Sequence, residues 1–163
     1  MISWVQQTKD KGFIAAGHVV RNPNSGLPVD MYLLKMDPTG NTQWQTHFGS
    51  GPTHDEASSV EQTLDGGYVL AGYGGHSGAV VVLKTDSLGH RQWRFCAFPA
   101  ADAWDILQTR DGGYITGGLC QRHDSLFLLK LDSLGKVEWT RTYYNGPHIH
   151  AWEGRIPLRQ TRD

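Results

Sequence analysis

Of the 8 histidines in this 163-residue chain, His18, His54, His76, His123, His148 and His150 fall in irregular segments that also carry Asp55, Asp102, Asp124 and Glu153. Imidazole beside carboxylate is the donor set that a divalent cation or a general base requires. His148 and His150 would share one face of an extended segment, because side chains alternate with a period of two, so this pair is the candidate metal site. No third ligand stands at a regular spacing from it. Polar side chains populate exposed loops in any case, so the default reading of the remaining histidines is solvated surface. His54 with Asp55 and His123 with Asp124 are kept as candidate binding residues. Trp104 and Trp152 join them, since a flat indole makes a platform for a sugar or a peptide.

A second constellation occurs three times. Lys35, Lys84 and Lys130 are each followed by Asp at +2, Gly at +5 and Trp at +9. A cation, a carboxylate and an aromatic ring could bind a ligand. Their identical place in each copy instead makes Trp44, Trp93 and Trp139 structural fillers between neighbouring units. The lysine stems are expected to lie along that surface with their amines in water. No catalytic residue is identified. The glycine-rich stretch Gly72–Gly78 leads toward a β-type run, whereas a dinucleotide fingerprint opens a helix. No nucleophile elbow, P-loop, EF-hand loop or zinc-protease motif is present, and no cofactor is expected.

The composition supports a packed core, with 39% hydrophobic and 19% charged residues. A formal net charge of −1 gives no electrostatic reason to expect nucleic acid as a partner. No apolar run is long enough for a membrane span, and the opening residues MISWVQQT carry no signal-peptide pattern. Cys96 and Cys120 lack a metal-ligand spacing.

The elements that would position these groups are repeated. QTLDGGYVLAG (Gln62 to Gly72) recurs as QTRDGGYITGG (Gln108 to Gly118) and, more loosely, as QTKDKGFIAAG (Gln7 to Gly17). The chain ends on QTRD, Gln160 to Asp163, where a fourth copy begins. The Lys-x-Asp phrase alternates with this one. Self-similarity at roughly 40–50 residues belongs to solenoids, propellers and arrays. Each copy divides into four short runs rich in Val, Tyr, Trp, Thr and Leu, which reads as β-strand. The Asp-Gly-Gly corners supply positive φ for tight hairpins, so strands one and two pair, as do three and four. Lys11 and Phe13 replace Gly and Tyr in the first copy, and a looser turn is expected there.

The pattern DGGYxxxG…hhLKxDSxG…W resembles the tandem-repeat β-propellers of secreted and surface-anchored bacterial proteins, and more distantly quinoprotein-type blades. The resemblance implies an all-β fold and an extracellular or cell-surface location. It also implies a non-enzymatic binding or scaffold module. The expected architecture is one partial propeller domain over 1–163: blades at about 2–49, 56–98 and 102–144, then the first strand of a fourth at about 152–163. A β-trefoil, which also has three four-stranded repeats, is the alternative, and would point to a carbohydrate binder. An arc of this kind is expected to be a fragment that exposes apolar faces and associates with itself. Its tight corners should occupy one edge and its long, varied connections the other. The variable edge should then contact a protein or glycan ligand. The enzymatic alternative would draw on the same His and Asp loops.

Overall fold

The computed structural model describes residues 1–21, 29–49, 51–75, 78–99, 101–120, 125–144 and 157–161. Twelve strands and no helix occur among them. They form three four-stranded antiparallel sheets, each in simple sequence order. The first contains β1 (Ile2–Gln7), β2 (Phe13–Val20), β3 (Val29–Met36) and β4 (Thr42–Phe48). The second contains β5 (Glu56–Gln62), β6 (Tyr68–Gly74), β7 (Ala79–Thr85) and β8 (Arg91–Pro99). The third contains β9 (Ala101–Gln108), β10 (Tyr114–Cys120), β11 (Ser125–Leu131) and β12 (Val137–Tyr144). Every described pairing stays within one repeat, which sets aside the trefoil, whose barrel is shared between repeats. Of the expected fourth-unit strand at about 152–163, residues 157–161 are described and carry no strand, and the rest lies outside the described residues. Residues 157–161 lie against the third sheet, where the Leu158 amide donates to Asp105 (2.7 Å) and Arg110 donates to the Thr161 carbonyl (2.8 Å).

The corner between the first two strands of each sheet is built one way three times. In the second sheet the Thr63 hydroxyl and the Gly67 amide both donate to one oxygen of Asp65. The other oxygen accepts the Lys84 ammonium at 2.9 Å. Asp10 with Lys35 and Asp111 with Lys130 repeat the ion pair, each at 2.9 Å. The expected lysine placement is therefore overturned. The Lys84 side chain is 2% exposed, and its amine also donates to the Thr85 carbonyl and to Gln92. Three acceptors replace the water that burial removes, which is what makes a buried ammonium tolerable.

The first-copy corner is not looser. The Thr8 amide donates to the Gly12 carbonyl and the Lys11 amide to the Thr8 carbonyl, both at 2.9 Å as in the other corners, and Lys11 takes φ of 67° to do so. The equivalent residues Gly66 and Gly112 take 85° and 83°. A Cβ in this left-handed region costs about 1 kcal/mol. Replacing Lys11 with glycine should therefore raise stability by about 0.5 kcal/mol after the added chain entropy of glycine is subtracted. A small upward shift in the urea midpoint checks this.

These corners also set the acid response. The Thr8 hydroxyl and then Lys35 hold Asp10 at about 2, down from 3.8. At Asp65 burial pushes upward, but the Thr63 hydroxyl and Lys84 outweigh it, and the group again settles at about 2. Asp111 is held lower still, first by the Thr109 hydroxyl and then by Lys130. Groups depressed in the folded state stabilise it above the unfolded-state value, and that contribution disappears as pH falls through the folded value. The urea midpoint should thus fall steeply between pH 3.8 and about 2. An unchanged midpoint across that window would refute the shared role of the three aspartates.

The sheets stack face to face. Ile14, Ala16, Met31 and Leu33 of the first meet Tyr68, Leu70, Val81 and Leu83 of the second. The opposite face of the second, with Val69, Ala71, Val80 and Val82, meets Ala103, Ile106, Tyr114, Phe127 and Leu129 of the third. Trp44 and Trp93 fill these interfaces, as their fixed place in the repeat suggests, whereas Trp139 meets no neighbouring sheet among the described residues and has Arg141 over its ring at 5.9 Å. Trp44 meets Tyr68 edge-on with ring centroids 5.7 Å apart, and Trp93 meets Tyr114 the same way at 5.5 Å. Only glycine fits over each indole: a Cβ on Gly89 would lie 2.8 Å from Trp44, and one on Gly135 would lie 2.8 Å from Trp93.

Candidate functional site

Antiparallel order sends the corners to one end of each sheet and the longer connections to the other. At that other end the first and second sheets meet. β2 brings His18 there near its end, β5 opens on Glu56, and the register pairs Glu56 with Tyr73 of β6. His54 precedes β5. Its Nε2 lies 2.5 Å from Glu56 Oε1, and its ring centroid lies 5.5 Å from that of Tyr73. The His18 ring stands 6.4 Å from His54, and its Nδ1 is 3.5 Å from the same carboxylate oxygen. That Nδ1 is buried and has no hydrogen bond. Two imidazoles thus converge on one carboxylate beside a phenol. Burial, and then Glu56, push the Tyr73 hydroxyl's pKa upward, so it remains a neutral hydrogen-bond donor.

Two carboxylates are buried at this end of the first two sheets, and one of them, Asp55, braces the cluster. Asp55 accepts from Arg94 (2.9 Å), from the Thr53 hydroxyl (2.6 Å) and from the Gly75 amide (3.2 Å). Its own amide donates to the Val29 carbonyl, tying the connection back to the first sheet. Asp30 accepts from Arg21 and lies 2.8 Å from His47 Nδ1. Asp55 is thereby a positioning group for His54 and Glu56, its side chain 1% exposed.

Of the residues singled out from sequence, the structure brings together His54 and Asp55 and places Trp104 elsewhere. Trp104 lines an apolar groove of 150 Å³ with Leu126, Leu128, Tyr143 and Leu158 on the outer face of the third sheet. His123, Asp124, His148, His150 and Trp152 lie outside the described residues, and with them the metal pair. Among the described residues no group of three His, Cys, Asp or Glu side chains is arranged to hold a metal ion. Sequence reasoning missed Glu56 and Tyr73, which sit inside strands with no motif of their own. It also missed Asp105. This buried acid accepts from the Ser59 hydroxyl (2.7 Å) and borders a 240 Å³ groove with Trp4, Gln6 and Glu61. Burial pushes Glu61 upward, and the Gln108 amide opposes that. A signal for Asp105 existed: the other copies carry Trp4 and Ser59 at its place, so it departs from the repeat.

No family model matches the sequence, and no curated protein matches it. Among solved structures, a crystal structure of a protein of unknown function from Bacteroides caccae is similar, with a TM-score of 0.52 and 15% identity. The likeness covers 72% of this chain and 38% of that one, so this chain spans well under half of the longer protein's length. At this identity the similarity is one of fold.

Proposed function

We propose that the chain is an arc of a β-propeller and acts as a non-enzymatic binding module, contacting protein or glycan through the edge that carries His18, His54, Glu56 and Tyr73. Four-stranded antiparallel units stacked through a repeated aromatic contact support the propeller reading. The contrast between the two edges carries the binding reading. At the corner edge the repeated Lys–Asp–Thr groups are bonded to one another to hold the fold. At the opposite edge His54 is one-third exposed and presents an imidazole beside a phenol ring. Imidazole, phenol and carboxylate together offer donors, an acceptor and an apolar ring face, the mixture that polar ligands need for orientation.

The test is binding of the 163-residue chain to glycan and peptide arrays. A His54→Ala/Tyr73→Ala variant should bind roughly tenfold or more weakly, as expected for the loss of central contacts. A Thr39→Ala variant at the corner edge should bind as the parent does. Absence of any array signal above background, or signal lost in the corner variant alone, would overturn the reading.

A further inference from the structure

The second sheet is covered by a sheet on both faces, whereas the first and third are each covered by a sheet on one; on its other face the third carries Leu158 beside Gly117, Leu126 and Leu128. The repeat register shows what the two open faces match. On the third sheet, Ile115, Leu126 and Leu128 occupy the positions of Val69, Val80 and Val82, which the third sheet itself covers in the second. On the first sheet, Phe13, Ala15, Tyr32 and Leu34 occupy the positions of Tyr68, Leu70, Val81 and Leu83, which pack onto the first. The aromatic contact is half-built at each end. Trp139 is the third member of the series Trp44, Trp93, and Phe13 stands where Tyr68 and Tyr114 receive the indole. Gly40 stands where Gly89 and Gly135 lie against a tryptophan, yet no atom comes within 4 Å of the place its Cβ would take. A 570 Å³ concavity on the first sheet, bordered by Ile2, Tyr32 and Leu34, lies on this same open face.

We infer that the open face of the third sheet docks onto the open face of the first sheet in a second copy of this chain, with Trp139 seated against Phe13 and Gly40. The contact is heterologous: two different faces meet, so both remain to be satisfied until a ring closes. Two copies bring six sheets, within the range of four to eight at which such rings close. The occupant is a second copy because its first sheet offers this face the aromatic and aliphatic contacts that already join each sheet to the next, and its Val5, the repeat counterpart of Leu158, would take the place that Leu158 holds.

Light scattering of the 163-residue chain should give twice 18.1 kDa. Leu128→Lys blocks the third-sheet face and Leu34→Lys blocks the first-sheet face, and each variant alone should run as a monomer. Mixed, the two variants retain one competent face each and should form a one-to-one heterodimer. That rescue also shows both variants to be folded. A monomeric parent chain would overturn the inference. So would a Leu34→Lys variant that still dimerises, since this would mean that third-sheet faces pair with each other, or a mixture that stays monomeric.

Discussion

Asp65→Ala is expected to cost about 3 kcal/mol, a loss out of proportion to the exposure of the side chain removed. The aspartate is 56% exposed, whereas its partner Lys84 is 2% exposed. Removing the aspartate leaves a buried ammonium with a carbonyl and an amide oxygen and no counter-charge. It also frees the Thr63 hydroxyl and the Gly67 amide that Asp65 gathers. The converse change, Lys84→Met, leaves a carboxylate that water can reach, and a thioether of similar length in the space of the lysine stem. It should cost about 1 kcal/mol, for the hydrogen bonds that the amine made to the Thr85 carbonyl and to Gln92. The double variant should then cost more than Lys84→Met alone by the freed Thr63 hydroxyl and Gly67 amide, yet less than the sum of the two single variants. Urea unfolding of the three variants gives the coupling energy directly. If Lys84→Met proves as damaging as Asp65→Ala, the buried charge is not what sets the cost.

Leu83→Ala should also cost about 3 kcal/mol, because Leu83 is fully buried between the first and second sheets and truncation leaves a cavity there. Leu34 occupies the same place in the repeat but lies on the open face of the first sheet, half-buried. Leu34→Ala in the isolated chain should cost less than about 1 kcal/mol. Unfolding midpoints measured at low concentration compare the two. At concentrations where copies associate, the cost of Leu34→Ala should rise toward that of Leu83→Ala, since the docked second copy then covers the position. Equal costs at all concentrations would mean that the face is already covered within one chain.

The repeat made the strands and the corners of the three sheets legible in the sequence. Asp65, Gly66 and Gly67 mark a reversal by their own backbone preferences, which are local, and the same spelling at Asp111 to Gly113 marks another. The recurrence of Trp at +9 from Lys likewise exposed the inter-sheet filler, because a side chain held at one place in every unit serves the contact between units. What the sequence misjudged was the end of the lysine side chain. Lys84 lies on β7 and Asp65 in the corner between β5 and β6, and only the pairing of Val69 with Lys84 brings the amine to that corner. The looser first corner was misjudged for a related reason: propensity disfavours Lys11 at positive φ, yet the bonds of Asp10 to Gly12 and Lys35 hold the turn closed regardless.

The candidate site divides along the same line. His54 and Asp55 could be picked out because histidine and aspartate in a long connection are conspicuous. Their opposite fates, His54 part-exposed and Asp55 locked to Arg94, depend on β8 crossing from elsewhere in the chain. Glu56 and Tyr73 became site residues only through strand register, and Trp104 left the proposed site only through the bulge and face on which β9 holds it. By itself the sequence determined the strands, the corners and the repeat, since those follow from backbone preferences acting over a few residues. The tertiary structure alone decided which charges are buried, which polar groups converge and which two faces stay open, since each depends on groups that meet only after the sheets have stacked.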